Sequence, residues 1–178
     1  MNTYRLSGLL VICCCFLVVS CNTATPEKYF DEAVLNSNMI TGIANDGMMS
    51  EMEYPSAKLL EGTKDQTTPM TRMEMLQSKI QFVEEALGKL KQLRETKDTK
   101  EMLQTSVALH AYVLGIYKTD YLEMAKLYDA GASKDLIQAK AQAIHDKYNA
   151  RYEELFNKLI SLGKSYASAN NIKVNWGR

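Results

Sequence analysis

Between residues 73 and 166 apolar side chains recur at alternating intervals of three and four, and that spacing leaves one class of fold open. Met73, Leu76, Ile80, Val83, Leu87 and Leu90 form the strictest series. Leu103, Val107, His110, Leu114, Tyr117, Tyr121, Met124 and Tyr128 form a second, widened by Leu109, Val113 and Ile116. Ile137, Ala141, Ile144, Tyr148, Tyr152, Leu155, Leu159, Leu162 and Tyr166 form a third. Such seams place one apolar stripe along a helix and call for other helices to cover it. The third seam takes two consecutive steps of four from Ile144 to Tyr152, a local departure from the heptad.

Punctuation residues divide the chain at matching places. Thr25-Pro26 reads as an N-cap followed by proline at the first helical position, and Thr68-Pro69 repeats the signal for the second helix. Asp98 with Glu101 has capping-box spacing for the third. Gly131 is placed to end that helix, and Ser133 with Asp135 to start the fourth. The third and fourth helices are expected to run about 50 and 55 Å, at 1.5 Å per residue. The first helix has the weakest pattern. Phe30, Val34, Ser37, Thr41, Ala44 and Met48 compete with Tyr29, Ala33, Ile40 and Ile43 for its inner face, and Gly42 and Gly47 lower its propensity. Pro55 ends or kinks it, and residues 54–68 read as a connector. The tail Ile172–Trp176 alternates like a strand without a partner and is expected to lie as an extended arm on the helices. The expected fold is all-α, an antiparallel up-down four-helix bundle with a short extended C-terminal arm. A three-helix core with a loosely docked first segment is the alternative.

The N-terminus carries a different signal. Arg5 precedes an unbroken apolar run from Leu9 to Val19. Eleven residues are too few for a membrane span, which needs about 20, but they suit the apolar core of a secretory signal. The run ends Leu17-Val18-Val19-Ser20-Cys21, which resembles the lipobox of bacterial lipoproteins. That resemblance implies lipidation of Cys21, cleavage before it, and attachment to a membrane through the acyl chains. The division is then 1–20 signal peptide, 21–25 lipidated tether and 26–178 helical domain. Asn22, where the enteric sorting rule places Asp for inner-membrane retention, points to the outer membrane of the cell envelope. The layout is similar to helical envelope lipoproteins of the Bacteroidota type, a likeness that transfers no functional residues.

Composition narrows the function classes. The 178 residues hold 21 Lys+Arg against 21 Asp+Glu. A net charge of zero argues against nucleic acid and gives no polybasic handle for anionic lipid. The four cysteines are Cys13, Cys14, Cys15 and Cys21. The processed chain therefore has no free thiol for catalysis, disulfide formation or zinc ligation. Val107 and Gln142 stand three residues before His110 and His145, where a bundle di-iron site places Glu. No His-Glu-x-x-His, glycine-rich phosphate loop or Gly-x-Ser-x-Gly elbow occurs. His145 is expected at a helix boundary or exposed. No cofactor or metal is expected.

Three groups of residues remain as candidates for a binding surface. His110 with Tyr117 and Tyr121 can line a polar pocket; the competing reading is a core histidine satisfied by a tyrosine hydroxyl or by Asn36, Ser37 or Thr41. Tyr117, Tyr121, Tyr128, Tyr148 and Tyr152 can line a cleft or serve as half-buried seams. Met48, Met49 and Met52, with Met70, Met73 and Met75, can form an adaptable apolar surface or a soft-ligand Cu(I) site, or simply fill the core. Residues 40–68 are expected to open more readily than the later helices and to carry the contact. The expected function is a non-enzymatic binding or scaffolding role toward another envelope component, with membrane attachment through Cys21. A small-molecule or Cu(I)-binding lipoprotein is the alternative.

Overall fold

The structure, a computed structural model, describes residues 24–43 and 46–176. Cys21 and the signal segment lie outside the described residues, as does Ala44. The chain is predominantly helical, with 72% of residues in helices and 4% in strands. Among the described residues no helix is long and apolar enough to cross a membrane.

Helix α1 (Pro26–Ala33) starts as the sequence reads, with the Thr25 hydroxyl accepting from Lys28 N at 3.3 Å and proline in the first turn. It does not continue to Pro55. A 3-10 turn (Leu35–Ile40) follows at once, and Gly42 then takes a φ of +72°, a left-handed conformation that suits a residue without Cβ. Helix α2 (Asp46–Glu53) follows. These breaks resolve the competition between the two apolar stripes. Tyr29, Phe30, Ala33, Val34, Ile40, Ile43 and Met48 are all buried, because the chain turns and presents each stripe to the core in succession.

The connector contains a small hairpin that the apolar pattern does not announce. Strand β1 (Ala57–Leu59) pairs antiparallel with β2 (Thr67–Pro69), Lys58 opposite Thr68. Pro69 therefore ends a strand and does not open a helix, which proline tolerates at an edge position. Helix α3 (Arg72–Gln92) opens at Thr71. Its hydroxyl accepts from Glu74 N at 3.1 Å, while the Glu74 carboxylate accepts from Thr71 N at 2.9 Å. Asp129, at the end of the third helical run, accepts from the backbone N–H of Arg72 and Met73, at 2.9 and 3.0 Å. Its charge suits a helix N-terminus.

The third run is helical from Lys100 to Asp129 but in three parts: α4 (Lys100–Ile116), a π segment (Tyr117–Tyr121) and α5 (Leu122–Asp129). Its start is fixed by two threonines, not by Asp98 and Glu101. Thr96 N–H donates to the Thr99 hydroxyl at 2.9 Å, and Thr99 N–H donates to the Thr96 hydroxyl at 3.2 Å. Its end matches the sequence reading. Gly131 has a φ of +69°, and bonds from Gly131 N to Tyr128 O and from Ala132 N to Leu127 O close a Schellman motif.

Helix α6 (Lys134–Ala169) begins under the Ser133 cap and runs beside α4, α5 and α1. At Gly163 it comes so close to Val34 that a Cβ there would stand 2.9 Å from both valine methyls. The tail after Asn171 lacks regular structure, and Trp176 packs edge-on against Phe30 with ring centroids 5.7 Å apart. One contiguous core joins the helical segments, from Tyr29 to Ala167, and the hairpin strands contribute no residue to it.

Candidate functional site

His110 is completely buried on α4. Its Nδ1 bonds the carbonyl of Ser106 one turn earlier at 2.8 Å, and Nε2 has no hydrogen-bond partner among the described residues. Burial pushes the imidazole pKa down, opposed in part by the Ser106 carbonyl. The histidine is therefore neutral in the fold, with Nδ1–H donating and Nε2 carrying a bare lone pair. Among the described residues no tyrosine hydroxyl bonds it, nor does Asn36, Ser37 or Thr41. Ser106 carries the cross-helix bond instead, from its hydroxyl to Ala33 O at 2.7 Å. His145 is exposed.

Tyr117 and Tyr121 meet each other edge-on, 5.9 Å between centroids, at the two ends of the π segment. The Tyr121 hydroxyl donates to the carbonyl of Ile43. Burial pushes the Tyr121 phenol well above its ordinary range, and Tyr152 up to about 12. The Gly42 backbone near Tyr152 opposes part of that rise, so two buried tyrosines lie against the turn between the 3-10 segment and α2. Tyr148 and Tyr112 pack edge-on at 6.0 Å and belong to a different face.

The methionines separate in the same way. Met48 and Met52 point inward and are buried, whereas Met49 is half-buried. Met49 lines a shallow cleft of about 440 Å³ with Tyr54, Tyr128 and the first turns of α6. Met39, Met70 and Met75, from three separate segments, converge on a second cleft of about 400 Å³. Phe82, Val83 and Tyr117 complete its apolar wall, and Ser56, Ser78, Glu51 and Lys79 supply its polar groups. Lys79 Nζ lies 2.6 Å from the Glu51 carboxylate. Tyr117 is 1% exposed, and burial followed by the nearby Glu51 charge raises its pKa well beyond the ordinary range. Its hydroxyl therefore stays protonated. This cleft joins α2, the hairpin base and α3. Of the aromatic and methionine residues singled out in the sequence, it contains Tyr117, Met70 and Met75 but neither His110 nor Tyr121. Met73, predicted in the same thioether group as Met70 and Met75, does not line it.

One polar constellation gave no sequence signal. Asp120, inside the π segment, accepts from Lys140 at 2.6 Å, from Lys147 at 3.0 Å and from the Tyr148 hydroxyl. Lys140 also meets Glu123 at 2.6 Å. These bonds, Lys140 first, hold the Asp120 carboxyl well below the usual carboxylate range. A carboxylate so held is a poor base. The arrangement ties α6 to the one place where the third helical run departs from α geometry. Among the described residues no group of three His, Cys, Asp or Glu is placed to hold a metal ion. No family model, curated protein or solved structure matches the chain.

Proposed function

We propose that the chain is a lipid-anchored protein of the bacterial cell envelope, held in the outer membrane by acylated Cys21. Its helices form an up-down four-helix arrangement whose broken first member is α1, the 3-10 turn and α2. The role is non-enzymatic: the domain binds another envelope component. The observation that carries this reading is the Met39–Met70–Met75 cleft, whose apolar walls and few polar groups have the make-up of a binding pocket. Its polar groups are one ion pair and three hydroxyls, a set that offers contact without an activated nucleophile or base.

The anchor gives the cleft a position. Ala24 packs beside Lys89 and Leu93 at the C-terminal end of α3. Two residues, Asn22 and Thr23, separate it from Cys21, three steps or at most about 11 Å of chain. That end of α3 would therefore face the bilayer. The cleft sits toward the other end of the 21-residue helix, whose full length is about 31 Å, so a component in the envelope space could reach it past the membrane surface.

The reading is tested by placing a photo-crosslinking residue at Met39, on the cleft lip, and at exposed Lys126 as control, in the full chain in its native cell. A discrete adduct from position 39 alone, lost with Cys21→Ser, is expected. Equal adducts from both positions, or adducts indifferent to the anchor, would overturn it.

A further inference from the structure

The charge pattern of the same cleft limits the chemistry of what it holds, an inference that rests on the cleft being the binding site. At roughly 30 Å³ per water-sized group, about 400 Å³ accommodates about a dozen heavy atoms. The wall formed by Met75, Phe82 and Val83 is apolar, and Met39, 60% exposed at the lip, can shift its flexible thioether to fit different shapes. At the polar end the two charges already cancel, Lys79 against Glu51 at 2.6 Å. The Lys79 side chain is only 21% exposed. A cationic head would have to draw Glu51, 49% exposed, away from Lys79 and leave that less exposed member poorly solvated, and an anionic head would have to displace Glu51 from Lys79, so either gives up an existing ion contact to make its own. An uncharged head meets no such obstacle. Tyr117 offers a hydroxyl that stays protonated, and Ser78, whose proton is given to Glu74 O at 3.1 Å, offers lone pairs.

The geometry points to a neutral amphiphile as the ligand of this cleft, an aliphatic or aromatic body of about a dozen heavy atoms with a hydroxyl or amide head. The body lies along Met75, Phe82 and Val83, and the head meets Tyr117 and Ser78 beside the intact Glu51–Lys79 pair.

Equilibrium dialysis tests this on the full lipidated chain in nanodiscs, with three probes of matched chain length: 1-monooctanoylglycerol, octanoate and octylammonium. Ser78→Trp, at an exposed helical position on the cleft wall, fills the space without touching the core and gives the background from partition into lipid. The neutral probe is expected to bind wild type at least tenfold more tightly than either ion, and Ser78→Trp is expected to abolish the difference. Glu51→Gln, which leaves Lys79 unpaired, is expected to raise octanoate binding at least tenfold. Equal binding of all three probes, or a Glu51→Gln variant with unchanged preference, would overturn the inference. Failure of every probe while Met39 still forms its crosslink would overturn the ligand chemistry and leave the binding reading standing; loss of the crosslink as well would remove both.

Discussion

Gly163→Ala should destabilise this protein, although alanine is the better helix former. In the interior of a helix the exchange ordinarily gains about 0.5–1 kcal/mol. Here the new Cβ would stand 2.9 Å from both methyls of Val34. Val34 is 1% exposed, and its β-branched side chain has one strongly preferred rotamer in helical backbone, so the methyls cannot swing away. Relief requires α6 and the end of α1 to separate, and overpacking of this kind costs about 1–3 kcal/mol. The net expectation is a loss of about 1 kcal/mol. Gly88→Ala and Gly115→Ala supply the control, since a Cβ at either meets nothing within 4 Å; both should gain about 0.5–1 kcal/mol. Val34→Ala in the Gly163→Ala background should recover about 1 kcal/mol relative to the sum of the single changes. Urea midpoints at constant slope measure all five variants, Val34→Ala alone included. Gly163→Ala with a midpoint as high as Gly88→Ala would show that α1 does not press on α6 as described.

Four further outcomes are expected. His110 should make stability depend on pH: burial lowers its folded-state pKa, so the unfolded chain binds the extra proton first, and stability present above about pH 6.5 should fall by up to about 1.4 kcal/mol per unit below it; urea midpoints at pH 5 and 7.5 should differ less in His110→Gln. Asp120→Asn should cost about 1–2 kcal/mol by weakening bonds to two lysines, seen as a lower thermal midpoint; an unchanged midpoint would mean the network is incidental. Cys21→Ser should abolish acyl labelling and leave the precursor uncleaved on a gel, and normal labelling would remove the anchor. Amide exchange should be fastest at the hairpin tip, residues 60–66, and slow at residues 46–53, which carry buried Met48 and Met52; fast exchange throughout 40–68 would restore the reading made from sequence.

What was legible in the sequence was local. Ser133, Gly131 and the steps of three and four sufficed to place α6 and the end of the third helical run, because caps and seams act within a few residues; the start of that run was read at Asp98 and Glu101 but is held by Thr96 and Thr99. The start of α3 was also written there: Thr71-Arg72-Met73-Glu74 is a capping box, and the more conspicuous Thr68-Pro69 masked it. What escaped depends on partners distant in the chain. The break in the first helix is stabilised by the Tyr121 hydroxyl on Ile43, 78 residues away. Asp120 gains its meaning only when α6 brings Lys140 and Lys147 alongside. The cleft gathers Met39, Met70 and Met75 from three segments that no single periodicity connects. His110 fell on a seam as read, but its partner is a carbonyl of its own helix, a bond that side-chain pairing rules do not anticipate.

Methionine methyl groups offer the most direct test that the cleft is the binding surface. In the full chain labelled with ¹³C-methyl methionine, Met39, Met70 and Met75 report on the cleft, Met49 on the neighbouring one, and Met52, Met102 and Met124 on the core. Titration with detergent extract of the native envelope is expected to shift the resonances of Met39, Met70 and Met75 and to leave the others in place. Shifts confined to Met49, or no shift at any of the three cleft methyls, would contradict it.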